Sequence, residues 1–315
     1  MPAVQTIAIV VPVYNEAGVV EQFHARLRAV IDDMAAGFTV YYVNDGSTDG
    51  TSDSLKKIAD EDSRVVVLEL SRNFGHQAAL TAGLDHALGD VVVTMDGDGQ
   101  HPPEMIPEMV RLFWLGYDIV QTQRVDSEQK NSFKKWTSSG FYSLLNSLSG
   151  TQVQPGAADF RAMSRQAVEA LKAMPEFHRF LRGMVAWIGF PSVILPYQPP
   201  ERIGGTSKYS MRKMFRLAMD AIFSFSLVPL YIGLSLGALM LCLAGVEMIY
   251  VLSFWVRGLQ SSLEPGWSSL MFVLLIVSGF IMILLGFVGM YIGYIFQEVK
   301  RRPVYLLKQK SKSGE

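Results

Sequence analysis

The chain has 315 residues, half of them hydrophobic and only 18% charged, with 28 Lys and Arg against 29 Asp and Glu. A net charge of −1 excludes a protein built as a whole to bind polyanions such as nucleic acid, and the hydrophobic share exceeds what a purely soluble chain of this length needs. The single cysteine, Cys242, excludes an internal disulfide and a cysteine zinc site, and it suits a reducing compartment.

The apolar excess is concentrated: residues 1–220 read as a soluble α/β region, and residues 223–296 carry two long apolar stretches. The first apolar run, Ile7 to Val11, is too short for a secretory leader and follows no basic stretch. It reads as a strand buried on both faces, ended by Pro12. Val20, Phe23, Leu27, Val30 or Ile31 and Met34 then recur at helical spacing. Thr39 to Val43 is a second strand, followed by the turn Asn44 to Gly50 and a helix through Leu55 and Ile58. Val65 to Leu70, Val91 to Met95 and Ile119 to Thr122 are further strands, with a helix from His76 to Leu88. This alternation predicts a mainly parallel α/β sheet with right-handed crossovers. The loops after the first, second and fourth strands then share one edge, so Tyr14, Glu16, Asp45, Asp96 and Asp98 are expected to line one cleft. The absence of Gly-x-Gly-x-x-Gly after the first strand, and of a Walker A sequence, weighs against a dinucleotide or P-loop site.

The stretch Thr94-Met95-Asp96-Gly97-Asp98-Gly99-Gln100-His101-Pro102-Pro103 carries the chemistry. Two carboxylates at i and i+2, just past a buried strand, can converge on one hard cation. Mg2+ or Mn2+ takes oxygen ligands and shares them with substrate phosphates. An acidic surface turn is the bland alternative, since Asp-Gly pairs are ordinary turn material.

Farther on, Phe133, Trp136, Phe141, Leu144, Leu145 and Leu148 share a helical face with Lys130, Lys134 and Lys135 near its start, which fits either an interfacial helix or one packed on the sheet. A second basic amphipathic stretch, with Arg212, Lys213 and Arg216, runs into Leu227–Val256, which is apolar except for Glu247. Leu270–Phe296 has no charge at all. Each stretch exceeds the ~20 residues that cross a bilayer. The outer flanks are basic, and the connection 257–269 has one Arg and one Glu. The positive-inside rule therefore puts both termini and the α/β region in the cytoplasm. Gly233-x-x-x-Gly237 and Gly289-x-x-x-Gly293 are weak signals of close helix approach.

The ordered set Val11-Pro12-Val13-Tyr14-Asn15-Glu16, Asn44-Asp45-Gly46-Ser47-Thr48-Asp49 and Asp96-Gly97-Asp98-Gly99-Gln100 resembles the family 2 glycosyltransferases of GT-A fold. Ser71-Arg72-Asn73-Phe74-Gly75-His76-Gln77, Asp159-Phe160-Arg161, His178-Arg179-Phe180 and Arg202-x-x-Gly205-x-Ser207-Lys208-Tyr209 are similar to its polyprenyl-phosphate glycosyltransferases. The resemblance implies a GT-A domain over 1–205, a juxtamembrane amphipathic segment over 206–226, a two-helix transmembrane hairpin over 227–298 and a basic cytoplasmic tail over 299–315. It implies that Pro12, Tyr14, Glu16 and Asp45 hold the nucleoside. Asp98 would bind the metal, with Asp96, Gly97 and Gln100 beside it at metal or diphosphate. Arg124, Arg202 and Lys208 would meet phosphates of donor or acceptor, and Asp159 would lie at the reacting centre. The pattern departs at Asn44, where an acid is commoner, and at Gly97, where Ala is commoner and glycine changes loop flexibility more than chemistry.

The residues support the same chemistry. A divalent ion on Asp96 and Asp98 can neutralise a leaving diphosphate, and basic donors between Arg202 and Lys208 can add to it. A lipid phosphate is already anionic near neutral pH, so it needs positioning more than a base. Arg124, Arg179 and Arg182 can supply that through forked hydrogen bonds. Asp159 is then a base or an orienter, or with Arg161 a structural ion pair. The expected activity is inverting, metal-dependent transfer of a sugar, with a UDP-linked donor expected, to a polyprenyl phosphate such as undecaprenyl phosphate at the inner membrane, by a possible homotetramer. The rivals are a processive polysaccharide synthase, for which the Gln-x-x-Arg-Trp motif is missing, and a non-catalytic membrane-tethered sugar-nucleotide binder.

Overall fold

The computed structural model describes residues 6–125, 157–198, 228–258 and 266–312. Both basic amphipathic stretches, Arg202 and Lys208 lie outside the described residues. The chain divides into two units: Met1–Phe215 with Arg302–Glu315, and Arg216–Arg301.

The first unit is built on a mixed eight-stranded sheet. In chain order the strands are β1 (Thr6–Val13), β2 (Gly37–Asn44), β3 (Val65–Leu70), β4 (Val91–Thr94), β5 (Ile119–Arg124), β6 (Ala157–Ser164), β7 (Ser192–Tyr197) and β8 (Leu307–Lys312). Their order across the sheet is β7-β5-β6-β4-β1-β2-β3-β8. β1 pairs in parallel with β2 and β4, β2 with β3, and β5 with β7. β6 runs antiparallel between β4 and β5, and β8 antiparallel along β3. The expected "mainly parallel" sheet is thus mixed, and β5 does not continue the parallel series beside β4.

The first four strands form where apolar runs predict them. Pro12 does not end β1, which pairs on through Val13. The Val10 carbonyl accepts the Met95 N–H on the β4 side, and ladder pairing with β4 stops at Val10. Pro12 shares that side by the two-residue alternation of a strand, so its missing N–H faces no neighbouring strand.

The helices are α1 (Val20–Asp32), α2 (Thr51–Glu61), α3 (His76–His86), α4 (Ile106–Trp114), α5 (Arg165–Lys172) and α6 (Leu181–Trp187). Odd-numbered residues of β1 (Ile7, Ile9 and Val11) join Phe23, Leu27 and Leu55 of α1 and α2 in the core. The other face takes α3, where a Cβ on Gly83 would overlap Val10. That close approach is why a helix here tolerates a glycine, at a cost of about 1 kcal/mol in propensity.

The basic tail contains β8, whose residues join the sheet: Val66 pairs Lys312, Leu68 pairs Lys310 and Leu70 pairs Leu307.

The second unit holds α7 (Val228–Val256) and α8 (Trp267–Val299). Among the described residues, one stretch, Ile276–Val299 within α8, is long and apolar enough to cross a membrane. A Cβ on Gly233 of α7 would overlap Leu284 of α8, so this glycine lets the two helices close on each other. Gly237, Gly289 and Gly293 have no such neighbour among the described residues.

Candidate active site

Three loops leave the sheet at the carboxyl ends of β1, β2 and β4, and those after β1 and β2 are tied to each other by hydrogen bonds from backbone to side chain. The Asn15 N–H donates to Ser47 Oγ (3.0 Å), the Thr48 N–H to Asn15 Oδ1 (2.9 Å) and the Glu16 N–H to Thr51 Oγ1 (2.9 Å). Asn15 sits at φ +54, a left-handed conformation that asparagine tolerates better than most residues. Asn44, the departure from the commoner acid, is buried at 1% exposure. Its amide donates to Ser52 Oγ at 2.7 Å and its Oδ1 accepts the Ser47 N–H at 3.0 Å. The side chain therefore shapes the turn from inside.

Asp45, expected at the nucleoside, is 3% exposed and held by the backbone. Its two carboxylate oxygens accept the Phe74 N–H (2.7 Å) and the Gly75 N–H (3.0 Å). Burial raises its pKa, against which those two amides pull down. Gly46 follows at φ +64, and a Cβ there would run into the backbone of Arg72 and Asn73. Asp45 and Gly46 thus fasten the loop 71–75 to the β2 turn.

That loop delivers α3, whose first residue, His76, has its Nε2 3.5 Å from Asp96 Oδ1 and 3.5 Å from Asp159 Oδ2. Burial alone would lower the imidazole, but the Asp96 charge and the Asp159 hydrogen bond outweigh it and push the ring up to about 9. Sequence reasoning assigned His76 no role. The signal was its place in the Ser71–Gln77 motif.

Asp96 and Asp98 occupy the turn after β4. The Asp96 N–H donates to His101 Nδ1 at 2.8 Å, and the His101 ring stacks on Phe160 with centroids 5.1 Å apart. Asp98 Oδ1 accepts the Gln100 N–H at 3.0 Å. Gly99 takes φ +79. Gly97 does not; its reason is packing, since a Cβ would come within 3.0 Å of Val13 and 3.2 Å of Val11. Expected loop flexibility is therefore replaced by close approach to β1.

Asp159 comes to this turn through β6. Thr94 pairs Arg161 at the end of the antiparallel ladder, and His76 Nε2 lies 3.5 Å from both Asp96 and Asp159. Asp159 Oδ1 accepts from Arg161 at 2.8 Å and from Arg182 Nε at 3.1 Å, and Oδ2 accepts from Arg182 at 2.8 Å. Burial would raise this carboxyl, yet Arg182, His76 and Arg161 hold it well below the usual carboxylate range. Burial in turn lowers Arg161 to about 10, with Asp159 opposing. Arg124 lies nearby: burial pushes the Tyr197 hydroxyl up to about 12, with Arg124 opposing and Asp96 and Asp98 adding. Arg179 does not join the group described here. Its guanidinium donates to the Leu171 and Met174 carbonyls at the end of α5.

Among the described residues no three His, Cys, Asp or Glu side chains form a ready-made metal cage. The turn nevertheless fits a divalent ion that completes its shell with substrate. Asp96 Oδ1 is a buried oxygen with no hydrogen-bond partner among the described residues, and His76 Nε2 lies 3.5 Å from it as an ion-pair contact. One or two carboxylates plus substrate phosphates is the usual Mg2+ arrangement. The assembled edge can bind an anion, hold a cation and position a second anion over Arg182.

The sequence model described as Glycosyl transferase family 2 matches residues 8–172. The uncharacterized glycosyltransferase YkcC of Bacillus subtilis is 38% identical over 303 residues, 96% of this chain and 93% of the relative. The prophage bactoprenol glucosyl transferase homolog of Escherichia coli K12 is 36% identical, over 97% of this chain and 99% of its own. The bactoprenol glucosyl transferase of Shigella phage SfII is 36% identical, over 96% and 97%. Among solved structures, the Pyrobaculum calidifontis mannosyltransferase PcManGT, in complex with GDP-Man and Mn2+, is 20% identical at a TM-score of 0.47, covering 70% of this chain and 63% of its own.

Proposed function

We propose, from the premise that the chain belongs to glycosyl transferase family 2, that this transferase moves a hexose from a nucleotide sugar to a polyprenyl phosphate at a membrane surface. The observation that carries the reading of the site is Asp159, bound by Arg161 and Arg182 and joined through His76 to Asp96. An acceptor that is already an oxyanion needs cations to orient it rather than a strong base. Arg182, partly exposed and fixed through two donors by Asp159, is the cation best placed for that. Asp159 acts as the orienter of Arg182, and Arg124 lies on the same edge.

In this reading a phosphate oxygen of the acceptor attacks C1 of the sugar. The bond from C1 to the nucleoside diphosphate breaks, and the diphosphate leaves with the electron pair. Attack opposite the leaving group inverts C1. Asp96 and Asp98, with Gln100 beside them, would hold Mg2+ or Mn2+, which supplies charge neutralisation to the diphosphate. Pro12, Tyr14 and Glu16 line the donor side with a fixed backbone, and Arg202 and Lys208 are assigned to phosphates. Relatives named bactoprenol glucosyl transferase support a polyprenyl phosphate acceptor and make UDP-glucose the first donor to try. We read α7 and α8 as a two-span anchor in the inner membrane, with the sheet unit on the cytoplasmic side and a homotetramer as the assembly.

The test uses purified full-length protein in detergent, undecaprenyl phosphate and a panel of radiolabelled nucleotide sugars, with and without EDTA. Label in a chloroform-soluble product, lost with EDTA and restored by Mg2+ or Mn2+, is the expected result. No labelled lipid from any donor, beside a working control enzyme, overturns the acceptor assignment.

A further inference from the structure

The segment after α8 is built into the sheet unit at two points that both lead to His76. The first is the edge of β3. Pairing with β8 includes Leu70 opposite Leu307, and one residue further the Ser71 N–H donates to the Leu306 carbonyl at 2.8 Å. The ladder therefore reaches into the loop 71–75, the same loop whose Phe74 and Gly75 amides bind Asp45. The second point is the far end of α3. The Tyr305 hydroxyl donates to Asp85 Oδ2 at 3.0 Å, and its ring meets His86 edge to face at 6.1 Å. Asp85 and His86 close the helix that His76 opens, about 15 Å away along its axis.

A helix free at its carboxyl end and entered from a free loop can rock or slide by fractions of an ångström, and catalytic geometry is sensitive to shifts of that size. Here residues 305–307 hold the carboxyl end of α3 and the start of the loop that enters it. Resting on the reading of the site given above, we propose that the segment 304–312 is a positioning strap, with Tyr305 as its positioning residue: it sets the loop 71–75 and α3, and through them Asp45 and His76, against the Asp96–Asp159 edge. The strap touches no substrate in this arrangement. It makes catalytic geometry depend on chain that lies beyond the last apolar helix.

The test uses the full-length protein, three substitutions and one truncation. Tyr305→Phe removes the hydroxyl and keeps the ring. Asp85→Ala removes the acceptor, and Asp85→Asn keeps an oxygen that can accept the same hydrogen bond. The truncation ends the chain at Arg302. Expected is a fall in kcat of about ten-fold for Tyr305→Phe and Asp85→Ala, the worth of one good hydrogen bond, with KM for the donor within about two-fold. The double variant should be no slower than either single one, and Asp85→Asn should stay near wild type. Amide hydrogen exchange reads the strap without any turnover: residues 71–76 should exchange faster in Tyr305→Phe and in the truncation, while β1 and α1 keep their protection. Wild-type kcat in Tyr305→Phe, or a lowered Tm with kcat and the 71–76 exchange unchanged, overturns the proposal. If the truncated chain does not fold, Tyr305→Phe decides alone. If wild type transfers no sugar, the reaction assigned above has failed, and the exchange measurement still decides the strap.

Discussion

Asp159→Asn separates two roles that the geometry joins. The carboxylate is 5% exposed and Arg161 beside it 3%. Removing one partner of a buried pair leaves the other charge uncompensated, at about 3–5 kcal/mol. Asparagine keeps the shape and one acceptor oxygen, so the lower figure applies, about 3 kcal/mol. For a unit of this size each kcal/mol moves Tm by about 2–4 °C, which predicts a drop of about 6–12 °C. Near-ultraviolet circular dichroism of the protein in detergent measures it. Part of the loss should be recovered in the double variant Asp159→Leu with Arg161→Met, because an apolar pair of similar volume removes both members of that buried pair, while Arg182 and His76 stay without the carboxylate. Sugar transfer should not recover, because Arg182 has lost its anchor. Two results refute this. A Tm change under about 1 °C in Asp159→Asn would mean that Arg161 does not depend on the carboxylate. Recovered transfer in the apolar double variant would remove Asp159 from the positioning of the acceptor.

Asp98→Ala should lower transfer by at least about a hundred-fold, the several kcal/mol a metal contributes, at a Tm close to wild type, since Asp98 lies outside the buried core; full activity without Asp98 would end its assignment as metal ligand. Gly46→Ala meets both a left-handed φ and the backbone of Arg72 and Asn73, so it should cost about 2 kcal/mol or more and release Asp45 from the loop 71–75, read as lowered Tm together with faster exchange at Phe74 and Gly75. Asp62 supplies the pH dependence. Hydrogen bonds from Arg64 hold it down to about 2 despite burial, below an unfolded value of about 3.9. A depressed folded value stabilises above pH ~4 and is lost as pH falls towards ~2. Wild type should therefore exceed Asp62→Asn by about 1–2 kcal/mol at neutral pH after allowance for solvent screening. That gap should close on acidification, as followed by urea unfolding at a series of pH values.

What the sequence discloses is what local pattern controls. Continuous apolar runs place β1 to β4, and the Asp96–Asp98 turn is visible because both carboxylates lie in one short loop after one of them. Asp159 is harder. Its motif is recognisable, but its partner depends on a β6 that doubles back antiparallel between β4 and β5, and no local pattern records such a register. Arg179 differs: a basic residue beside a site motif is read as a ligand, and in the structure its Nη2 donates to helix-end carbonyls. Long apolar stretches point to helices, and α7 and α8 are helices; their charge flanks speak only to orientation.

Burial of α3 is legible in the sequence, and what buries it is not. Every residue of α3 from Ala78 to Leu84 is buried. A surface helix shows one apolar stripe, and a helix apolar on all sides must be covered on its outer face as well as on the sheet. Ala78, Ala79, Ala82 and Gly83 are small enough for layers on both sides to come close. His76 to His86 therefore states that something lies over α3, without stating what. The lysines of 308–312 read as a charge flank for the preceding span, and alternating lysines are also what an edge strand carries to discourage further pairing. Both readings can hold for one segment: β8 is the outermost strand of the sheet, and it carries Lys308, Lys310 and Lys312 in alternation.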